Sequence, residues 1–120
     1  MLGDYDMDAV FQALGNASRR RMLDTVKSKP GIRVGALASE FDVSRIAVMK
    51  HLAVLEEANL IVSEKDGRTR RLYFNAAPIQ MIHDRWTTEY SAYWAGQVTR
   101  IKYLAEARQH DKETGGKQRK

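Results

Sequence analysis

The 120-residue chain contains no cysteine. That removes disulfides, thiolate zinc and iron–sulfur sites, and thiol redox sensing together. No apolar run approaches the ~18 residues that a membrane span needs. The opening stretch Met1-Leu-Gly-Asp-Tyr-Asp-Met-Asp8 is acidic and lacks the basic-then-apolar order of a secretory signal, so a cytoplasmic location without membrane contact is expected. No internal repeat or inter-domain linker interrupts the sequence. Ser-His-Asp arrangements, Gly-rich phosphate loops and metal-ligand clusters are missing too, which argues against an enzyme and against a cofactor or metal.

What remains is an ordinary globular composition, 43% hydrophobic and 29% charged, with a net charge of +5. A basic excess points gently toward an anionic partner, and its placement matters more than its sum. Met7, Val10, Phe11 and Leu14 recur at helical spacing, and Gly15-Asn16 stops that first helix. Asn16 or Ser18 can cap a second helix, to about residue 27, with Met22, Leu23 and Val26 inward and Arg19 to Arg21 largely outward. Pro30-Gly31 ends it. A third helix over 34–41 carries Val34, Leu37, Ala38 and Phe41, and Asp42-Val43-Ser44 forms a three-residue turn. Ser44 is a good cap for a long fourth helix that closes at Asn59, a residue tolerant of a left-handed C-terminal turn. Helix, short turn and helix within about twenty-five residues is helix-turn-helix spacing. Two β-prone runs then flank Asp66-Gly67, a strong hairpin signal. Lys65, Arg68, Arg70 and Arg71 make the tip basic. Pro78 precedes a last long helix, over about 79–108.

The fourth helix has apolar residues on both faces. Val48, Leu52 and Leu55 fall in a narrow sector that must face the core, whereas Lys50 lies nearly opposite and shares its half of the wheel with Ile46, Met49 and Ala53. Such a face suits the floor of a DNA major groove, where thymine methyls offer apolar contacts and phosphates line the walls. Arg45 and Lys50 can reach base acceptors or phosphates. Plainer accounts exist for each half: Ile46 and Met49 packing on another helix, and the basic hairpin as a protected sheet edge. A groove-sized helix followed directly by a basic hairpin favours nucleic-acid binding over both.

These segments resemble the ArsR-type winged helix-turn-helix repressors over about residues 10–104. The resemblance is carried by Ala13-Leu-Gly-Asn-Ala-Ser-Arg-Arg-Arg-Met-Leu23, by the stretch from Leu37 to Ile61 with its Val-Ser-Arg-Ile-Ala-Val-Met-Lys-His-Leu centre, and by Lys65-Asp-Gly-Arg-Thr-Arg-Arg-Leu-Tyr-Phe74. It implies a mainly α fold with a small antiparallel hairpin, in the order α-α-α-α-β-β-α, over residues 1–110; the stretch 111–120, ending in Gly115-Gly-Lys-Gln-Arg-Lys120, reads from its composition as a disordered basic tail. The resemblance also implies recognition-helix roles for Ser44, Arg45, Met49 and Lys50, with His51 beside them in a local role toward backbone or phosphate. Ile46 stands where the family often has Pro, and Met49 where it usually has Ser. The family's metal sites do not carry over. Its thiolate pair falls on Ala36-Leu-Ala-Ser-Glu40, and His83-Asp84 with Glu106 and His110 has the wrong order and spacing. The last helix, with Asp84-Arg-Trp86, Tyr90 and Trp94, resembles a metal-free branch.

In that family the first and last helices build the homodimer, which points to Val10 and Leu14 with Trp86, Tyr90, Trp94, Val98, Ile101 and Leu104. The residues agree, because six large apolar side chains on one helix exceed what three short helices can cover. The expected protein is a homodimeric repressor reading a palindromic double-stranded DNA operator. Arg45, Ile46, Met49 and Lys50 read bases, while Lys65, Arg68, Arg70 and Arg71 hold the backbone or the minor groove; the effector is unknown. The alternative is a winged helix that docks an acidic protein partner.

Overall fold

The computed structural model describes residues 3–87 and 92–118. The chain divides into two units, Met1–Asp84 and Arg85–Lys120. In the first, α1 (Asp4–Leu14), α2 (Ala17–Ser28), α3 (Val34–Ser39) and α4 (Arg45–Glu57) surround one face of a small sheet. That sheet is formed by β1 (Ile32–Arg33), β2 (Ile61–Asp66) and β3 (Thr69–Phe74) in the order β1-β3-β2, all antiparallel. The fold class is that of a winged helix-turn-helix. Strand β1 is an addition to the expected order, too short to leave a pattern in the sequence; it pairs Ile32 with Leu72 and Arg33 with Arg71.

One core joins these elements. Val10 and Ala13 of α1, Met22 and Val26 of α2, Leu37 of α3, and Val48, Leu52 and Leu55 of α4 are sealed against Leu60, Ile61 and Leu72 of the sheet. The stripe of α1 is therefore turned from the expected one. Ala13 goes inward, and Phe11 is left 49% exposed.

The ends of α4 follow from local chemistry. At its start, Ser44 Oγ accepts the Ala47 N–H at 3.1 Å, which satisfies one of the free donors of the first turn. At its end Asn59 adopts φ 60°. The Leu60 N–H reaches the Leu55 carbonyl (3.0 Å) and the Asn59 N–H reaches Glu56 (2.9 Å). This pair of bonds is a Schellman motif, and its usual hydrophobic contact is supplied by buried Leu55 and Leu60. The chain thus leaves the recognition helix at a fixed angle and enters β2 at once.

The hairpin turns through Gly67-Arg68. Gly67 has φ 63°, and Arg68 is not left-handed. Positive φ at the first central position alone fits a type II′ turn, whose twist matches the flanking strands. After β3, Asn75 Oδ1 accepts the Ala77 N–H at 3.2 Å, and α5 (Ala77–Thr87) begins with Pro78 in its first turn, where a missing N–H costs nothing.

The second unit contains α6 (Ala92–Gln118). The long last helix expected over about 79–108 is described as α5 and α6 on either side of residues 88–91, which lie outside the described ones. Helix α6 also continues through 111–118, where a disordered basic tail was expected; Arg119 and Lys120 fall outside the description.

Candidate nucleic-acid interface

The outer face of α4 is bare. Ile46 is 71% exposed and Met49 36%, and Arg45, Lys50 and Ala53 are exposed beside them. On a wheel of 100° per residue, positions 46, 49, 50 and 53 fall within one sector of about 100°, roughly opposite Val48, Leu52 and Leu55. Along the axis they cover seven residue steps, or about 10 Å at ~1.5 Å each. None of these side chains is sealed beneath the rest of its own unit. Ser44, at the entry, has its hydroxyl oxygen committed to the cap.

His51 is turned inward and half-buried. Its Nδ1 lies 3.4 Å from Arg19 Nη1. Arg19 is a strut that sequence reasoning missed, since a run of three arginines on a helix reads as a solvated face. Its Nε donates to the Ala13 carbonyl (2.9 Å) and its Nη2 to the Gln12 carbonyl (2.8 Å). Arg20 Nη1 takes the Leu14 carbonyl at 2.7 Å. Three of the four carbonyls left open at the end of α1 are thereby satisfied by cations, which also suit the negative end of the helix dipole. Through His51, the same guanidinium ties α1 to the recognition helix.

In the wing the four cations divide into two kinds. Lys65 pairs across the hairpin with Arg70, and Arg71 across the sheet with Arg33. Like charges directly opposite one another repel, and one carboxylate relieves each pair. Arg70 Nη1 donates to Glu56 Oε1 on the last turn of α4 at 2.6 Å, with Ser63 Oγ at 3.4 Å. Asp66 Oδ2 accepts from Arg71 Nε (2.8 Å) and from Arg33 Nη2 (3.2 Å). The Arg71 guanidinium, first by its hydrogen bond and then by its charge, holds the Asp66 carboxyl below its ordinary range, with Arg33 adding to the effect. Among the described residues, Lys65 and Arg68 make no ion pair, and neither do Arg45 and Lys50.

The residues expected at a dimer contact are distributed differently. Val10 is sealed inside its own unit against α2 and α4 and cannot reach a partner; Leu14 is half-buried. Trp86 is exposed with the Arg85 guanidinium 5.3 Å from its ring centre. Tyr90 lies outside the described residues, as does the side chain of Trp94. On α6, Val98, Ile101 and Leu104 are exposed on one side, Ile101 and Leu104 at 63% each. No group of three or more His, Asp or Glu side chains able to hold a metal occurs among the described residues, and no described helix is long and apolar enough to cross a membrane.

A capped helix with an open polar–apolar face, steered by a rigid turn into a basic hairpin, defines a winged helix-turn-helix protein. The sequence profile of a helix-turn-helix domain family matches residues 14–64, the span from the end of α1 into β2. The chain is 36% identical over 85 residues to the HTH-type transcriptional regulator YuzN of Bacillus subtilis, covering 66% of this chain and 92% of that protein. It is 28% identical over 74 residues to the transcriptional repressor SdpR of the same organism, covering 62% and 81%. Among solved structures, an ArsR-like transcriptional regulator from Rhodococcus sp. RHA1 superposes with a TM-score of 0.63 at 29% identity, covering 86% of this chain and 93% of that one. The chain belongs to the ArsR-type family of helix-turn-helix transcriptional regulators. It is therefore a DNA-binding regulator, from a family of regulators and not of enzymes.

Proposed function

We propose that the protein is a homodimeric, metal-independent repressor that acts in the cytoplasm without catalytic activity and reads a palindromic operator. The observation that carries this reading is the uncovered face of α4. Ile46, Met49 and Ala53 would gain nothing from bulk water, and Arg45 and Lys50 flank them with no ion pair among the described residues. Docked in a major groove, the face sets apolar atoms against the groove floor and cations toward base acceptors and phosphates. Lys65 and Arg68, which make no ion pair among the described residues, take the adjoining backbone. Arg70 and Arg71 instead set the wing's shape and its angle to α4. His51 steadies the helix from behind through Arg19.

The exposed seam of Val98, Ile101 and Leu104 on α6 supports self-association, which would offer two recognition helices about one DNA turn (~34 Å) apart. A dimer seated over a promoter excludes polymerase, and repression follows. Selection of bound fragments from random duplex DNA with the purified protein tests the reading. A consensus with inverted half-sites about ten base pairs apart is expected. Absence of any retained duplex at low salt would overturn it and favour docking to an acidic protein.

A further inference from the structure

The chemistry of the open face restricts which bases it can read, granted the reading above that this face enters the groove. Over the first three turns of α4 the exposed side chains are Arg45, Ile46, Met49, Lys50 and Ala53. None is an amide, the group that pairs with the adenine edge, and none is a carboxylate, the group that accepts from the cytosine amine. Of the polar groups nearby, Glu56 is tied to Arg70 and the Ser44 oxygen caps the helix, while Glu57, exposed on the same side, stands one turn beyond Ala53 in the last turn of α4, outside the stretch from Arg45 to Ala53. Arg45 and Lys50 suit guanine O6 and N7. Ile46 and Met49 have no polar atom to offer a base edge except a weakly accepting thioether, and they are the two large side chains on the face. In the major groove the one apolar group on any base pair is the thymine 5-methyl.

We infer that operator recognition works through thymine methyl groups: each half-site presents thymine 5-methyls to Ile46 and Met49, within about three base pairs that also carry guanine for Arg45 or Lys50. The length of the face sets that number, since ~10 Å of helix spans about three steps of 3.4 Å. The protein then distinguishes thymine from uracil, which differ only in that methyl and pair identically with adenine. Burying one methyl corresponds to about a four-fold change in affinity.

The test uses the tightest duplex recovered from a random library, synthesised with thymine or with uracil at single half-site positions. Titrations would employ the full-length protein and its Ile46→Ser and Met49→Ser variants. Both positions are exposed, so the variants should fold as the parent does, with circular dichroism as the check. The expected result is a loss of about four-fold for uracil at one or two positions per half-site, shrinking to nothing for the variant whose side chain contacts that methyl. Replacing a contacted thymine–adenine pair by 5-methylcytosine–guanine should bind more tightly than unmethylated cytosine–guanine. Equal affinity for thymine and uracil duplexes overturns the inference while leaving DNA binding intact. Undiminished discrimination in both Ser variants overturns the assignment to these side chains. Failure to recover any duplex strikes the underlying interface instead.

Discussion

At the residue scale, the four wing cations make the sharpest division. Among the described residues Lys65 and Arg68 make no ion pair, whereas Arg70 and Arg71 already hold carboxylates of the same chain. Each phosphate neutralised contributes about 0.9 to the log–log salt slope. Arg68→Ala should therefore flatten that slope by about one unit per wing and weaken all sequences alike. Arg70→Ala should weaken binding with the slope nearly unchanged, because it disturbs the wing's angle and leaves the count of phosphate contacts alone. Equal slope changes in the two variants, read from titrations between low and moderate salt, would falsify the division. Asp66 adds a pH prediction. Its folded carboxyl is held below the ordinary value, so its stabilising contribution is complete above the unfolded carboxylate range and disappears as pH falls through the folded value. Asp66→Asn should thus melt lower than the parent near neutrality, and the two melting curves should converge in strong acid. A gap that persists or widens at low pH contradicts this.

At the element scale, the Arg19 clamp holds α1 to α2 and, through His51, to α4. Removing charged hydrogen bonds of this kind costs about 1–3 kcal/mol, so Arg19→Ala should lower unfolding stability by that order in denaturant titrations. No change would mean that water caps α1 equally well. The ends of α4 were legible in advance: Ser44 is a residue that caps, and Asn59 is one that tolerates a left-handed turn. The hairpin was legible because Gly67 permits the positive φ its turn requires. The opposed faces of α4 were legible because periodicity alone separates Val48, Leu52 and Leu55 from Ile46, Met49 and Lys50. The partners of Arg19, Arg70 and Arg71 were not. They lie on other elements, and a cation run carries no mark of which carbonyl or carboxylate it will meet. The rotation of α1 was missed for a related reason: Ala13 and Phe11 differ in hydrophobic area, but packing space beside α2 and α4 decides which goes in.

At the scale of the whole molecule, the two units carry different tasks. In the proposed function the first presents the reading face. In the second, α6 exposes Val98, Ile101 and Leu104 along one side. A charge introduced into an apolar contact between subunits would be left unpaired and costly to desolvate. Ile101→Glu should give a monomer in sedimentation equilibrium, bind a palindromic duplex much more weakly than the parent, and leave the fold of the first unit unchanged by circular dichroism. A variant that stays dimeric would move the association surface elsewhere.

All of this depends on the outer side of α4 entering the duplex. The most direct measurement is a methyl and amide NMR titration of the protein with its selected duplex. The account predicts that signals of Arg45, Ile46, Met49, Lys50 and Ala53 move most, with Arg68 second, while the methyls of Leu52 and Leu55 on the opposite side stay in place. If the Ile46 and Met49 methyls hold still and a different surface responds, the recognition helix has been assigned wrongly.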